Sequence, residues 1–306
     1  NCPCCKSNHT EIIDTIQNDD LHDLYLRKFN LPIRNLFKED KTYLVKCLNC
    51  DLLFYFPQTG GDEAFYNKLQ QYPWYYTSDK EEYRFAKQYL TTSEYVLEIG
   101  SGSGTFAELI TQNPYLGLEF SQKAIELAAK KGIKVINESI EEHSNNHPNH
   151  YDAVVFFQVL EHVIDIHDFL KAAVNTLKPN GKLIISVPSE DFFLSSNVND
   201  ILNFPPHHSS RYVESFFYNI QSIFNINLIK IKHQKIEKIH QPQYLKNIIY
   251  LKFLKLFGYK FKRIDNSFFT MLLEKISYAL GKIISLFYTE KTEGGHTITI
   301  IYEKRS

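Results

Sequence analysis

Three glycines within five residues, placed between a short apolar run and a helical pattern, constrain the fold of this chain most strongly. The segment Val96–Gly104 reads VLEIGSGSG. Because glycine has no Cβ, the backbone can turn sharply here and approach a ligand closely. A strand, a glycine-rich turn and a helix in this order are typical of nucleotide-binding α/β folds.

The spacing of these glycines narrows the class of ligand. Thr105 occupies the place where a dinucleotide-binding G-x-G-x-x-G loop would have its third glycine. Glu98, two residues before the first glycine, suits a ligand whose cationic amino group needs a carboxylate. Glu119, about twenty residues past Gly100, is placed to accept both ribose hydroxyls of an adenosine. Together these residues favour S-adenosylmethionine, and a purely structural glycine turn is the alternative.

From residue 95 onwards, short apolar runs alternate with helical patterns, which predicts an α/β fold with a doubly wound, Rossmann-like sheet. Helices are expected at about 79–90, 105–112, 121–131, 166–177 and 211–220. Seven strands are expected at Tyr95–Ile99, Tyr115–Glu119, Lys134–Asn137, Asp152–Phe157, Lys182–Val187, Asn227–Lys232 and His296–Tyr302.

All five cysteines lie in the first fifty residues, as two C-x-x-C pairs with one cysteine left over, Cys4. Two such turns can place four thiolates tetrahedrally around Zn²⁺, and free or buried thiols are the alternative. The expected ligands of this structural zinc are Cys2, Cys5, Cys47 and Cys50. The site would supply folding energy to a module too small to bury a good core.

The length of 306 residues and these patterns predict three parts. Residues 1–60 form the zinc-binding module, residues 61–92 a helical and aromatic connector, and residues 93–306 the α/β domain. A helical insertion is expected within that domain at about 235–292, between the last two strands.

Composition and charge exclude several classes of protein. The formal net charge is −1, from 34 basic and 35 acidic residues, so no overall charge favours nucleic acid. No run of eighteen uncharged apolar residues is present to indicate a membrane span. The first residues lack the basic region and apolar core of a signal peptide, so a cytoplasmic protein is expected.

Two further segments carry a resemblance to a known family: residues 137–142 read NESIEE and residues 151–163 read YDAVVFFQVLEHV. With the glycine loop, Glu119, Trp74–Tyr76, Gly295–Thr297 and the cysteine pairs, the chain resembles the class I S-adenosylmethionine-dependent methyltransferases. It resembles most closely a bacterial subgroup with an N-terminal cysteine-rich zinc module. The resemblance implies the following cofactor-binding residues: Glu98, Gly100, Ser101 and Gly102 at the methionine end, with Gly104 completing the loop; Glu119 at the ribose; Ser139 and Ile140 beside the adenine; and Gln158 at the mouth where methyl transfer occurs.

A hydroxyl acceptor needs a base at the moment of attack. The candidates are Glu161 and His162 after the fourth strand, and His207 and His208 after two prolines. His208 is the first choice. The alternatives are that His162 packs or caps beneath the site and that the histidine pair lies in a surface loop.

The related ubiquinone-biosynthesis O-methyltransferases read Glu-x-x-Glu-His at this segment and are associated with a divalent metal. Gln158 takes the first position here, so one anionic ligand is missing. No catalytic metal is therefore predicted.

Residues 230–263 carry ten basic side chains and one acid, Glu237, interleaved with six aromatic residues. One interpretation is a helical lid with a solvated lysine face. Another is peripheral contact with an anionic membrane or with a lipid-linked substrate such as a polyprenyl-phosphate glycan. Nucleic acid is the third, and the resemblance does not support it.

These features predict an S-adenosylmethionine-dependent methyltransferase that acts on an oxygen of a sugar or another small-molecule or glycan acceptor. One alternative is C- or N-methylation of a nucleotide-linked sugar. The other is a catalytically inactive, zinc-bearing interaction scaffold, against which the intact Glu98, glycine loop and Glu119 argue. The sequence predicts neither the acceptor nor the oligomeric state.

Overall fold

The computed structural model describes residues 1–69, 71–72, 80–288 and 293–306, and contains two β-sheets. The segment Trp74–Tyr76 lies outside the described residues. The strands are β1 (Thr10–Gln17), β2 (Lys41–Cys47), β3 (Leu53–Phe56), β4 (Val96–Ile99), β5 (Tyr115–Leu118), β6 (Val135–Ile136), β7 (Tyr151–Phe157), β8 (Leu177–Pro188), β9 (Ser210–Arg211), β10 (Ile226–Lys235) and β11 (Glu293–Lys304). The helices are α1 (Asn18–Phe29), α2 (Glu63–Leu69), α3 (Glu81–Lys87), α4 (Gln122–Lys130), α5 (Ile140–Asn146), α6 (Ile166–Thr176), α7 (Glu214–Asn219), α8 (Gln221–Phe224), α9 (Gln241–Leu256) and α10 (Phe268–Ser285).

The larger sheet has seven strands in the order β10-β11-β8-β7-β4-β5-β6. The five strands β8, β7, β4, β5 and β6 are parallel, and β11 runs against both of its neighbours. All seven predicted strands are present. The prediction of a doubly wound, Rossmann-like sheet is therefore confirmed.

The parallel strands are apolar on both sides because both faces of the larger sheet are covered. Successive side chains of a strand point to opposite faces. Leu97 and Val154 accordingly belong to one buried cluster, which also contains residues of α6. Val96 and Val155 belong to a second cluster, which contains residues of α3. Because helices cover both faces of the sheet, polar side chains lie mainly at the carboxyl ends of the strands.

The smaller sheet has the order β1-β2-β3-β9 and joins distant parts of the chain. Its last strand, Ser210–Arg211, follows the fifth strand of the larger sheet and pairs antiparallel with Leu53–Phe54. The N-terminal cysteines belong to the same buried cluster as one face of the larger sheet. The N-terminal residues thus pack directly on the α/β core, and the division of the chain at residue 60 stays a prediction.

Three predicted helices are shorter than expected. The helix expected at 79–90 spans Glu81–Lys87. The segment expected to be helical at 105–112 contains only a 3-10 turn at Ala107–Leu109. The helix expected at 211–220 begins only at Glu214, because the backbone of Ser210 and Arg211 pairs with β3.

The predicted helical insertion consists of α9 and α10, which pack against each other between β10 and β11. The side of α10 that faces α9 contains Thr270, Leu273, Ser277 and Gly281, and a Cβ on Gly281 would lie 2.7 Å from the carbonyl oxygen of Pro242. Lys246 of α9 pairs with Glu274 of α10 at 3.1 Å. Among the described residues, no helix combines the length and apolar character needed to cross a bilayer.

The close approach of α9 and α10 generates a test of packing. Gly281→Leu places a side chain where backbone atoms of α9 already lie, so we expect a loss of about 1–3 kcal/mol in the free energy of unfolding. Ala279→Leu on the exposed side of the same helix is the matched control, with an expected change within about 0.5 kcal/mol. Urea unfolding followed by circular dichroism measures both, and equal effects would contradict the packing described here.

Candidate functional site

The three glycines after β4 serve two different purposes. All three have positive φ, at +69° for Gly100, +53° for Gly102 and +78° for Gly104. A Cβ on Gly100 would lie 2.5 Å from Val159 Cγ2, and one on Gly104 would lie 2.8 Å from Ile133 Cδ1. A Cβ on Gly102 would meet no atom within 4 Å. Gly100 and Gly104 therefore permit packing within the protein, whereas Gly102 faces open space that a ligand could occupy.

Glu119 connects the glycine loop to the end of β5. One carboxylate oxygen accepts hydrogen bonds from the backbone N–H groups of Phe120 and Ser121, each at 2.9 Å. The other accepts from the N–H of Gly102 at 2.8 Å. A carboxylate offers about four lone-pair positions. Glu119 is thus held in a fixed orientation and retains capacity to accept a further hydrogen bond from a ligand hydroxyl.

Glu98 is a buried carboxyl beside the loop, only 2% exposed. The hydroxyl of Tyr115 donates to it at 2.5 Å. Burial raises the pKa of Glu98 to about 8, because desolvation disfavours the charged form more than Tyr115 and Lys80 favour it. A carboxyl in this state is suited to receive a cation, which would restore the ionised form.

The strand β5 supplies two site residues that the sequence reasoning did not identify, Tyr115 and Gly117. Gly117 pairs with Glu98 in the parallel register of β4 and β5. A Cβ on Gly117 would lie 2.4 Å from Ser101 Oγ, so this glycine makes room for the buried serine of the loop. The available signal was a glycine inside a strand, which often marks a close approach.

The residues predicted to lie beside the adenine, Ser139 and Ile140, follow β6. Gln158, predicted to lie where methyl transfer occurs, follows β7. Ser139 caps α5 by accepting a hydrogen bond from the N–H of Glu142 at 3.1 Å, and Ile140 is buried. Gln158 has a positive φ of 56° and follows β7 directly. Its buried Nε2 has no hydrogen-bond partner among the described residues. The structure therefore offers an amide donor at the carboxyl edge of the sheet.

The structure brings His162, His207 and His208 into one cluster. His162 lies in the 3-10 turn after β7, and the other two precede β9. The ring centroids are 4.6–4.8 Å apart. His162 Nδ1 donates to the carbonyl oxygen of His207 at 2.7 Å, and His207 Nδ1 donates to that of Leu202 at 2.9 Å. In these tautomers the Nε2 atoms of both rings are acceptors.

Burial keeps the three imidazoles neutral at physiological pH. Desolvation lowers the pKa of His162 to about 4 and that of His207 to about 3. Burial, followed by repulsion from its two neighbours, lowers the pKa of His208 well below its ordinary value. The candidate ligand nitrogens lie within 4.8 Å of one another, whereas nitrogens on one tetrahedral zinc are about 3.3 Å apart. The imidazoles are thus neutral, and each has an unprotonated nitrogen that can accept a hydrogen bond. Two nitrogens near the 4.8 Å limit would have to move closer together before both could bind one metal ion.

A small cleft lies beside the cluster at the carboxyl end of β8, and it is lined by Glu161, His208, Glu190 and Arg211 among others. Arg211 Nη1 donates to both carboxylate oxygens of Glu190 at 2.8 Å, and Arg263 Nη1 donates to one of them at 2.6 Å. Burial raises the pKa of Glu161 to about 8, so this side chain is largely protonated at neutral pH. The cleft therefore combines a carboxylic acid, a paired guanidinium and a neutral imidazole.

The four cysteines predicted to bind zinc converge at the N-terminus. Cys2 Sγ lies 3.6 Å from Cys50 Sγ, and Cys5 Sγ lies 3.5 Å from Cys47 Sγ. Sulfur atoms around one tetrahedral Zn²⁺ are about 3.8 Å apart. The geometry and the donor set of these residues thus fit a closed zinc site.

The two cysteine turns have the same backbone geometry. Lys6 and Asp51, which follow the second cysteine of each pair, have positive φ of 60° and 62°. The N–H of Lys6 donates to Cys2 O and that of Asp51 to Cys47 O, each at 3.0 Å. Cys4 is also buried, and its carbonyl oxygen accepts from His167 Nδ1 at 2.7 Å. The turn that contains Cys4 is thereby attached to α6 of the core.

Comparison with known proteins identifies the α/β domain. Residues 75–249, more than half of the chain, match the family model of a methyltransferase domain. The chain belongs to this methyltransferase family. Membership confirms the resemblance drawn from the glycine loop and supports S-adenosylmethionine as the cofactor of the domain. Zinc rests on the cysteine cluster alone.

The sequence match between this methyltransferase domain and its curated relatives is limited to 99 residues. Ubiquinone biosynthesis O-methyltransferases from Yersinia pestis (strain Pestoides F) and Yersinia pseudotuberculosis serotype O:1b (strain IP 31758) are each 31% identical over 99 residues. The match covers 30% of this chain, and the chain spans about two fifths (41%) of each relative's length. A solved SAM-dependent methyltransferase from Archaeoglobus fulgidus shares the fold, with a TM-score of 0.50 and 17% identity over 79% of this chain and 100% of its own.

The cysteine geometry generates a test of metal binding. We predict about one Zn²⁺ per chain, lost in Cys47→Ser because one of four thiolate ligands is removed, and retained in Cys4→Ser, which lies outside the set. Elemental analysis by mass spectrometry of the purified proteins measures both. Zinc lost in Cys4→Ser and kept in Cys47→Ser would show that the first turn is assigned wrongly.

Proposed function

We propose that this protein methylates an oxygen of a sugar or another small-molecule or glycan acceptor, with S-adenosylmethionine as the methyl donor. The observation that carries the proposal is the adjacency of two sites at one edge of the sheet. The glycine loop with Glu98 and Glu119 lies at the ends of β4 and β5, and the histidine cluster with its cleft lies at the ends of β7 and β8. The cofactor supplies an activated methyl group on a sulfonium, and the acceptor must reach it in line.

The residues present fit the cofactor in three respects. Gly102 leaves open space in front of the loop, and Glu119 keeps acceptor capacity for a ribose hydroxyl. Glu98 is a buried carboxyl with a raised pKa, which a bound ammonium group would lower by favourable charge interaction. Ser101 and Gln158 add polar groups at the same edge. We therefore assign these residues to cofactor binding, with Gly100 and Gly104 as the glycines that permit the loop to pack.

The lining of the cleft favours a hydroxyl-bearing acceptor. Glu161 in its protonated form can donate a hydrogen bond to an oxygen of the methyl acceptor. The Arg211 guanidinium is held in a fixed orientation by its hydrogen bonds to Glu190. A neutral imidazole at His208 can take the proton of the hydroxyl as the methyl group is transferred. The curated relatives are O-methyltransferases by name, which supports oxygen as the methylated atom.

Within the histidine cluster, we assign the base to His208 and a positioning role to the other two. His162 and His207 each use Nδ1 to bind a backbone carbonyl, which fixes their orientation. His208 lines the cleft directly and stacks on His207 with centroids 4.6 Å apart. Proximity and alignment would supply much of the remaining rate acceleration.

At the N-terminus, we propose a structural rather than catalytic role for the zinc site. Four thiolates would fill the tetrahedral shell, which leaves no position for substrate. The cysteines belong to the same buried cluster as the core, so metal binding would stabilise the attachment of the N-terminal turns to α6.

The raised pKa of Glu98 predicts that cofactor affinity depends on pH. Because the ammonium group binds the ionised carboxylate, binding below pH 8 must release the proton of Glu98. Affinity for S-adenosylhomocysteine should therefore rise between pH 6 and pH 8, approaching tenfold per unit, and titration calorimetry measures it. Glu98→Gln should weaken binding at pH 8 by roughly 1.5–3 kcal/mol and abolish this pH dependence.

Glu126→Gln, an exposed change on α4, is the control and should behave as the unmodified protein. A wild-type affinity that stays flat over this pH range, together with an unaffected Glu98→Gln variant, would contradict the role of Glu98.

The assignment of the base predicts a separation of turnover from binding. His208→Ala should lower turnover by about 10²-fold or more with an alcohol acceptor, while leaving the affinity for S-adenosylhomocysteine nearly unchanged. His207→Ala and His162→Ala should have smaller effects, because they position the cluster. The acceptor itself is found by mass spectrometry as a metabolite that gains about fourteen daltons only in cells with the active gene.

Other outcomes of this series of variants would change the assignment of the base or of the methylated atom. Full turnover in His208→Ala with loss in His162→Ala would place the base after β7. Full activity in all three variants would mean that the acceptor is already nucleophilic, which favours N-methylation over O-methylation.

A further inference from the structure

Helix α10 exposes most of its large apolar side chains and buries mainly small residues. The side packed on α9 contains Thr270, Leu273, Ser277 and Gly281. The opposite side repeats every three or four residues, as expected for one face of a helix. Its exposed residues are Phe268, Phe269, Leu272, Ile276, Leu280, Ile283 and, just after the helix, Phe287.

The two helices and the residues that join them carry most of the exposed large apolar side chains of the described chain. Fifteen of the twenty-seven exposed large hydrophobic side chains among the described residues lie between positions 248 and 287. Phe268 is 83% exposed, Ile283 58% and Phe287 81%. Contiguous apolar surface of this kind marks an interaction site rather than the ordinary scatter of single residues. We name the exposed apolar side of α9 and α10, residues 248–287, the hairpin face.

The charge around the hairpin face has a single sign. No acidic residue is exposed between positions 241 and 288 of the described chain. The exposed charged residues there are all lysines: Lys252, Lys255, Lys260, Lys262, Lys275 and Lys282. The acids that do occur there are Asp265 and Glu274, both partly buried, and Glu274 is paired with Lys246. Any partner of this surface must therefore combine an apolar interior with negative charge at its edge.

We propose that the hairpin face docks on the surface of an anionic phospholipid bilayer. The apolar side chains would enter the boundary between headgroups and acyl chains, and the lysines would meet the anionic headgroups. Neither helix is long and apolar enough to cross the bilayer, so the hairpin would lie in the interface. Interfaces between protein subunits are depleted in lysine, which favours lipid over a second copy of this chain as the occupant.

The hairpin is connected to the acceptor cleft by polar contacts. Arg263, between the two helices, donates to Glu190 at 2.6 Å, and Glu190 lines the cleft. On α9, Gln243 Nε2 donates to Asn197 Oδ1 at 3.1 Å, in the segment that follows β8. The hairpin that would dock on the bilayer is thus attached directly to a wall of the cleft.

Vesicle co-sedimentation of the full chain tests this proposal independently of methyl transfer. The probes are vesicles of phosphatidylcholine alone and vesicles of 70 mol% phosphatidylcholine with 30 mol% phosphatidylglycerol. We expect at least tenfold tighter binding to the vesicles that contain phosphatidylglycerol at about 0.05 M salt. Raising the salt to about 0.5 M should weaken this binding, because exposed charges are screened at that ionic strength.

Two pairs of variants separate the apolar and the charged contributions. Ile283→Asp with Phe287→Asp should reduce binding at least tenfold, and so should Lys275→Gln with Lys282→Gln. These side chains are exposed, so thermal unfolding should be unchanged. The matched controls are Ile12→Asp, an exposed apolar residue of β1, and Lys123→Gln with Lys130→Gln on α4, and both should bind as the wild type does.

Three results would overturn the proposal. The first is equal binding to both kinds of vesicle, or to neither. The second is wild-type binding by the two hairpin variants. The third is light scattering that shows a stable dimer abolished by Ile283→Asp with Phe287→Asp in the absence of vesicle binding, since the hairpin face would then be a contact between copies of this chain.

Discussion

The parallel pairing of β4 with β5 and β7 is the interaction on which the candidate cofactor site depends. In this register Glu98 pairs with Gly117 of β5 on one side and with Val155 of β7 on the other. The carboxyl ends of the three strands therefore meet at one edge of the sheet. The glycine loop then leaves β4, and the hydrogen bond from Gly102 to Glu119 joins it to the end of β5. Both faces of these strands are buried in apolar clusters. The polar groups at their ends are consequently positioned before a ligand arrives.

A second pairing, between β9 and β3, positions the acceptor side. The short strand Ser210–Arg211 extends the N-terminal sheet, and the histidine pair lies immediately before it. Arg211 in turn binds Glu190 at the end of β8. The N-terminal residues, the histidine cluster and the cleft are therefore parts of one packed structure. The cysteine turns contribute to the same structure through the hydrogen bond from His167 to Cys4.

In the hairpin of α9 and α10, the side that is buried differs from the side that the sequence pattern alone would predict to be buried. The helical pattern of α10 shows an apolar side, and such a side ordinarily packs on the core. In the structure the small residues around Gly281 pack on α9 instead, since they allow the two backbones to approach closely. The apolar side is left exposed next to lysines. The sequence indicated the basic character of this segment, but which side faced outward depended on the packing of two helices.

Local patterns in the sequence determined the type and order of the strands, the glycine loop, Glu98, Glu119 and the four clustered cysteines. Each of these depends on residues close together in the chain, such as an apolar run, a glycine spacing or a pair of cysteines separated by two residues. The histidine cluster, the roles of Tyr115 and Gly117, and the contact of Arg211 with Glu190 were decided only by the tertiary structure. His162 and His207 are far apart in sequence, and no local pattern specifies their distance. The low pKa values of these imidazoles have the same origin, because burial is a property of the packed molecule and not of any segment of it.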